Sequence, residues 1–149
     1  MKAAILSLAG AGVFCVLAAR SSAVAQIAEP RSVWSGVYTI EQATRGAAVY
    51  RRECVECHLE DLTGNEEASP LAGSAFLANW DGLSVGALVD ETRKSMPKKT
   101  PGKLDRQQYI DVIAFVLREN MFPAGNAELP RESEGLSQIR IRQVRDIPR

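Results

Sequence analysis

Two thiols and an imidazole fall within five residues, Cys54-Val55-Glu56-Cys57-His58. In this order and spacing they form the attachment signature of a c-type haem. The thiols add across the two vinyl groups of the macrocycle, because a two-residue spacer on a helical turn presents both sulfurs to one edge. The adjoining imidazole then points at the iron. His58 is the one histidine in the chain. The motif implies a single covalent haem c anchored by Cys54 and Cys57, with His58 as an axial iron ligand.

A Cys-x-x-Cys pair has two other uses. A redox dithiol of the thioredoxin kind follows a strand in a βαβ pattern, whereas the residues leading to Cys54 read as a helix and no parallel-sheet pattern follows. A structural zinc site needs four ligands. Outside the motif the one remaining cysteine is Cys15, in a segment expected to be removed, which leaves three donors crowded into five residues.

A His-ligated haem that transfers electrons without binding substrate needs a second axial group. The chain has three methionines. Met1 would leave with the N-terminal segment, and Met121 ends a helix. Met96 directly precedes Pro97 at the start of a Pro-rich loop, Pro97-Lys98-Lys99-Thr100-Pro101-Gly102-Lys103. A methionine on such a loop can swing across the haem face opposite His58, so Met96 is the expected sixth ligand. Thioether ligation raises the iron potential relative to a second nitrogen.

Helices are expected to position these groups. Thr39 and Gln42 read as a capping box opening a helix that runs to about Cys54. Gly46, Tyr50 and Cys54 recur at intervals of four and share one face. A glycine inside a helix costs about 1 kcal/mol relative to alanine, which is explained if another helix crosses closely there. Residues 59–82 are rich in Gly, Asn, Ser and Pro and read as loop with a short turn at most. Ser84 caps a helix to about Ser95, with Val85, Leu88, Val89 and Thr92 inward. Pro97 blocks its continuation. A last helix starts near Asp105 and ends near Asn120, with Tyr109, Val112, Ile113, Val116 and Leu117 as its apolar stripe. Residues 123–149 are polar, with Ile139, Ile141 and Val144 alternating against Arg and Gln. They read either as a short extended segment laid on the body or as a disordered tail. No strand signal is strong enough to make a sheet, so the fold class is all-α.

Residues 1–25 have the form of a secretory signal. Lys2 supplies a small positive n-region, Ala3 to Ala19 is an apolar run, and Ala23-Val24-Ala25 is a cleavage pattern. A retained anchor is the alternative, but the run is broken by Ser7, Gly10 and Gly12 and is about the minimum length for a span. Cleavage would leave residues 26–149 with no cysteine outside the motif. The chain carries 18 basic and 18 acidic residues, and losing Lys2 and Arg20 would tilt the balance slightly acidic. That argues against a nucleic-acid partner. A domain this small has a limited core, so a buried haem would make the fold depend on the cofactor.

Cys54-Val55-Glu56-Cys57-His58 followed by Ser95-Met96-Pro97 resembles the class I monohaem cytochromes c. The resemblance implies three to five helices around one covalent haem, with the first and last helices crossing. It also implies that Gly46 and Tyr50 meet Val112 or Phe115 in the C-terminal helix. The family's Pro-x-Leu-x-Gly stretch, whose first carbonyl accepts the axial histidine's Nδ1–H, has its counterpart in Ser69-Pro70-Leu71-Ala72-Gly73. Ser69 or Pro70 would supply that acceptor. A narrower likeness over about residues 38–130 includes Phe76-Leu77-Ala78-Asn79-Trp80, Pro101-Gly102-Lys103-Leu104 and Phe122-Pro123-Ala124-Gly125. It is similar to the small cytochromes and cytochrome domains associated with pyrroloquinoline-quinone alcohol dehydrogenases. Trp80 would then lie near the haem rim, either donating its indole N–H to a propionate or serving as core.

These likenesses imply a signal over 1–25, an irregular lead-in over 26–37, a cytochrome domain over 38–122 and an extension over 123–149. They imply a bacterial periplasmic electron carrier, not an enzyme. Its partners would be redox proteins, a dehydrogenase donor and an oxidase or cytochrome acceptor, with no stable membrane insertion after cleavage. The protein would be a monomer or one haem subunit of a larger oxidoreductase complex. An open-site haem enzyme or sensor is the rival from another class. Five basic residues, Arg93, Lys94, Lys98, Lys99 and Lys103, bracket Met96; either several of them ring the exposed edge and steer an acidic partner, or they are a solvated loop that only keeps the protein soluble.

Overall fold

The computed structural model describes residues 31–145. The signal segment and the expected start at Gln26 lie outside the described residues. The chain runs through a two-residue strand β1 (Arg31–Ser32), a 3-10 turn (Val33–Ser35) and helices α1 (Ile40–Glu53), α2 (Val55–His58), α3 (Gly73–Trp80), α4 (Val85–Ser95) and α5 (Arg106–Glu119). A short helix α6 (Ser133–Ser137) and strand β2 (Ile139–Arg140) follow. The described residues are predominantly α-helical, as expected. There are six α-helices among the described residues rather than three to five, because α2 and α6 are single turns and α3 was not foreseen.

The frame is the crossing of α1 and α5. A Cβ on Gly46 would stand 1.8 Å from the Asp111 carbonyl oxygen and 3.0 Å from Phe115 Cβ. The two backbones therefore touch where a side chain is missing. One turn on, the Tyr50 and Phe115 rings lie 5.0 Å apart, a favourable tilted pair. Phe115 is thus the aromatic partner, and the Asp111 backbone rather than Val112 fills the notch. Beside the crossing, the Asp111 carboxylate is only 4% exposed on the residue scale. It accepts from Arg45 at 3.0 and 3.2 Å and from Gln107 at 2.8 Å, so its charge is compensated where it is desolvated.

Helix ends explain both the agreements and the misses. Thr39 accepts from the Gln42 N–H at 3.1 Å, and Ser84 caps α4 through Ala87 N–H. The reciprocal half of the expected Thr39–Gln42 capping box is absent. The Gln42 side chain is buried and its Oε1 accepts from Leu129 N–H at 2.8 Å instead. The full capping box is at Asp105 and Gln108, opening α5. The loop reading of residues 59–82 is corrected by α3. Its first turn has no side-chain cap of its own. Asn120, from the end of α5, accepts from Gly73 N–H at 3.0 Å and donates to Leu71 O and Val116 O, both at 2.9 Å. A helix capped from 47 residues away leaves no local signal.

The expectation of no sheet is also corrected. β1 pairs in parallel with β2, Arg31 opposite Ile139 and Ser32 opposite Arg140. Two residues per strand are too few for a periodic pattern, and the partners are far apart in sequence. The 123–145 segment packs on the body: Leu129, Leu136, Ile139 and Ile141 are buried, while Val144 is exposed. Gly86 lets α6 approach α4, since a Cβ there would lie 3.1 Å from Ser137 N. Ile141 exchanges backbone hydrogen bonds with Gly82 and Leu83, each at 2.9 Å, so the segment grips the connection between α3 and α4.

Gly46→Ala should lower unfolding stability by about 1–3 kcal/mol, since the crossing must open to admit a methyl; an unshifted denaturant midpoint would show that the helices are not locked there. Asn120→Ala should cost about 1–3 kcal/mol by stripping partners from three backbone groups, again read as a denaturant midpoint, with wild-type stability as the contrary result.

Candidate haem site

The end of α1 delivers the motif. At Cys54 the backbone leaves helical geometry (φ −126°, ψ −29°). Its carbonyl then accepts from both Cys57 N–H at 3.2 Å and His58 N–H at 3.0 Å. That single tight turn brings Cys54, Cys57 and His58 to the wall of one cavity. Both cysteines are half-buried. Burial pushes the Cys54 thiol up to about 11, so it meets the cavity as a neutral sulfur.

His58 is 7% exposed. Its Nδ1 lies 2.9 Å from the Ser69 carbonyl oxygen. A carbonyl can only accept, so Nδ1 carries the proton and Nε2 keeps its lone pair. Between Ser69 and Pro70, the acceptor in the structure is Ser69, and Pro70 lines the cavity next to it. Burial lowers the imidazole's pKa, partly offset by the Ser69 hydrogen bond, which keeps the ring neutral. The loop that carries Ser69 is folded back onto the motif. Gly64 N–H donates to His58 O at 3.1 Å, Leu71 N–H to Leu62 O at 2.8 Å, and the Tyr50 hydroxyl to Leu59 O at 2.7 Å.

Met96 caps the C-terminal end of α4, its N–H donating to Thr92 O at 2.8 Å. It lines the same cavity. Met121 is 81% exposed, and the cavity wall does not include it. Trp80, the last residue of α3, also lines the cavity, its ring 6.4 Å from that of Phe76. All seven residues singled out in the sequence, Cys54, Cys57, His58, Ser69, Pro70, Trp80 and Met96, therefore share one cavity.

That cavity has a volume of about 600 Å³, inside the roughly 300–1,000 Å³ range of small-molecule sites. Leu71, Phe76, Leu88, Val112, Ile113 and Val116 supply apolar walls. Charged groups, among them Arg52, Glu53, Glu56, Lys98, Lys99 and Lys103, stand around it. Two thiols at one edge, an imidazole with a free Nε2, a thioether from a separate segment and apolar walls fit a haem. Well-packed interiors hold few voids larger than a water, so a cleft of this size with these walls has room for a prosthetic group.

Of the five basic residues expected around the edge, Lys98, Lys99 and Lys103 line the cavity and Arg93 and Lys94 do not. Lys99 pairs with Glu56 at 2.9 and 3.2 Å, and Lys103 pairs with Glu53, which also accepts from Arg52. Hydrogen bonds from Lys99 hold the Glu56 carboxyl below its ordinary range, and those from Lys103 and Arg52 do the same for Glu53. Two of the five basic residues thus face acidic partners on the motif segment. Pairs linking segments 43 positions apart leave no trace in local sequence. Asn120 and Phe76 were missed for the same reason, although Phe76 could have been found as the buried face of α3.

A family profile described as "Cytochrome C oxidase, cbb3-type, subunit III" matches residues 41–116, about half of the chain. The match runs from α1 into α5 and includes the motif and Met96. No curated protein and no solved structure matches the chain. No helix among the described residues is long and apolar enough to cross a membrane. The chain belongs to this cytochrome family, as a monohaem c-type cytochrome that carries covalent haem c and transfers electrons rather than catalysing a reaction.

Proposed function

We propose that this protein is a periplasmic single-electron carrier with a His58/Met96-ligated haem, linking a quinoprotein-type dehydrogenase to an oxidase or cytochrome acceptor of the respiratory chain. The observation that carries the reading is the single cavity lined by Cys54, Cys57, His58 and Met96 together. Haem bound there supplies a one-electron iron couple. Cys54 and Cys57 would hold the group by thioethers. His58 is oriented by the Ser69 carbonyl and offers Nε2. Met96, on the same cavity wall, would hold the iron through its thioether and so exclude exogenous ligands. Trp80, on the cavity wall, would offer its indole N–H to a propionate or serve as core, and Pro70 shapes the wall beside His58. The dehydrogenase link rests on the likeness of residues 38–130 to cytochromes of that association. Residues 1–25 direct export, and residues 26–37 and 123–149 flank the 38–122 domain.

A second reading is favoured by the family's printed description, which names an oxidase subunit. The protein would then be one haem relay within a larger oxidoreductase complex. Co-purification of a large subunit with the exported chain distinguishes the two.

The ligand assignment makes its own prediction. Met96→Ala should abolish the near-infrared Met–Fe band, admit carbon monoxide to the reduced protein and lower the potential within the ~0.8 V span that axial ligation commands. Met121→Ala should leave spectrum and potential unchanged. Carbon monoxide binding to the reduced wild type, or a spectral change in Met121→Ala alone, would contradict the assignment.

Docking is the second test. With Lys99 and Lys103 paired to Glu56 and Glu53, the rim is close to charge balance. The bimolecular electron-transfer rate should therefore fall only modestly as screening shortens from about 30 Å to about 8 Å. A steep fall would mean that the lysines act as free charges toward an acidic partner.

A further inference from the structure

Met96 sits where a ligand is hardest to hold. It follows the last residue of α4 and opens a loop of Pro, Lys and Gly, and such connections are the low-stability parts of a fold. Three hydrogen bonds fix its backbone. Its N–H donates to Thr92 O at 2.8 Å, and its carbonyl accepts from Gly102 N–H at 3.3 Å and from the Tyr109 hydroxyl at 2.8 Å. Thr92 belongs to α4 and Gly102 to the loop itself, so both can move with Met96. Tyr109 belongs to α5, which crosses α1 at Gly46, and α1 ends at Cys54.

We propose that Tyr109 is the positioning residue for Met96: its buried hydroxyl ties the ligand's backbone to the helix frame that carries the haem-attachment motif and so governs how readily the thioether leaves the iron. This rests on the reading of Met96 as the axial ligand. The loop's other ties to the motif side are the Lys99–Glu56 and Lys103–Glu53 pairs. The Lys99 and Glu56 side chains are 79% and 77% exposed, whereas in the second pair Lys103 is 44% and Glu53 only 12% exposed, so salt weakens the first pair more than the second. Tyr109 is 1% exposed, so its hydrogen bond is shielded from salt. It is the salt-independent latch, and the ion pairs are a salt-sensitive one in parallel. Tyr109 is not needed to line the cavity, whose walls do not include it. Its contribution to the site passes through the Met96 carbonyl.

The test is the rate at which imidazole enters the oxidised holoprotein, followed by loss of the near-infrared Met–Fe band. In wild type the rate should change little with salt. Tyr109→Phe keeps the ring and removes the donor. It should speed entry about two- to ten-fold, the equivalent of one net hydrogen bond, and make the rate rise with salt, because the exposed Lys99–Glu56 pair then carries more of the hold on the loop. Amide exchange over Lys98–Gly102 should quicken while that of α1 stays as in wild type. A wild-type imidazole rate in Tyr109→Phe at low and high salt overturns the proposal, even if the variant unfolds earlier. Absence of the near-infrared band in wild type, or its persistence in Met96→Ala, overturns the ligand reading itself. If Tyr109→Phe fails to form holoprotein, the wild type decides. Its Tyr109 hydroxyl proton should exchange at the rate of imidazole entry, and a freely exchanging hydroxyl overturns the proposal.

Discussion

The close approach of α1 and α5 at Gly46 is the contact on which the rest of the structure depends. A missing side chain on one helix lets the other bring its backbone against it, with the Tyr50 and Phe115 rings in tilted contact one turn beyond. α1 carries the chain into Cys54. α5 contributes Val112, Ile113 and Val116 to the cavity, Tyr109 to the Met96 carbonyl and Asn120 to the start of α3. A shift of either helix would therefore move the thiols, the apolar wall and the two segments that bring Trp80 and Met96 to the site.

The site is assembled from two kinds of restraint. The proximal side is local. One turn from Cys54 to His58 places both thiols and the imidazole, and a loop folded back on that turn supplies the Ser69 carbonyl. The distal side is not local. α4 is held by α6 and by the grip of Ile141 on Gly82 and Leu83, and Met96 is then held from α5. Residues beyond the matched family domain thus take part in fixing the helix that ends at Met96. The rim adds two ion pairs between the two sides, of which the exposed Lys99–Glu56 pair is the weaker and more salt-dependent restraint.

Much of this was legible in the sequence because it depends on near neighbours. The five-residue motif, the Thr39 and Ser84 caps, the helix start near Asp105, the Gly46 notch and the place of Met96 before Pro97 all follow from types at short spacing. What was not legible depends on distant partners. α3 is capped by Asn120, the Gln42 side chain serves Leu129 rather than Thr39, β1 and β2 are too short to carry a period, and Lys99 and Lys103 find Glu56 and Glu53 across the cavity mouth. Ser69 could not be separated from Pro70 as the histidine's acceptor, because either carbonyl satisfies the chemistry and only the path of the loop decides.

The central claim is that this cavity holds one haem joined to the chain through Cys54 and Cys57, and acid–organic extraction of the purified exported protein tests it most directly. The account predicts that the haem stays with the polypeptide and travels, after digestion, on the peptide containing Cys54 to His58. Release of the haem into the organic phase, with both thiols recovered free, would contradict it.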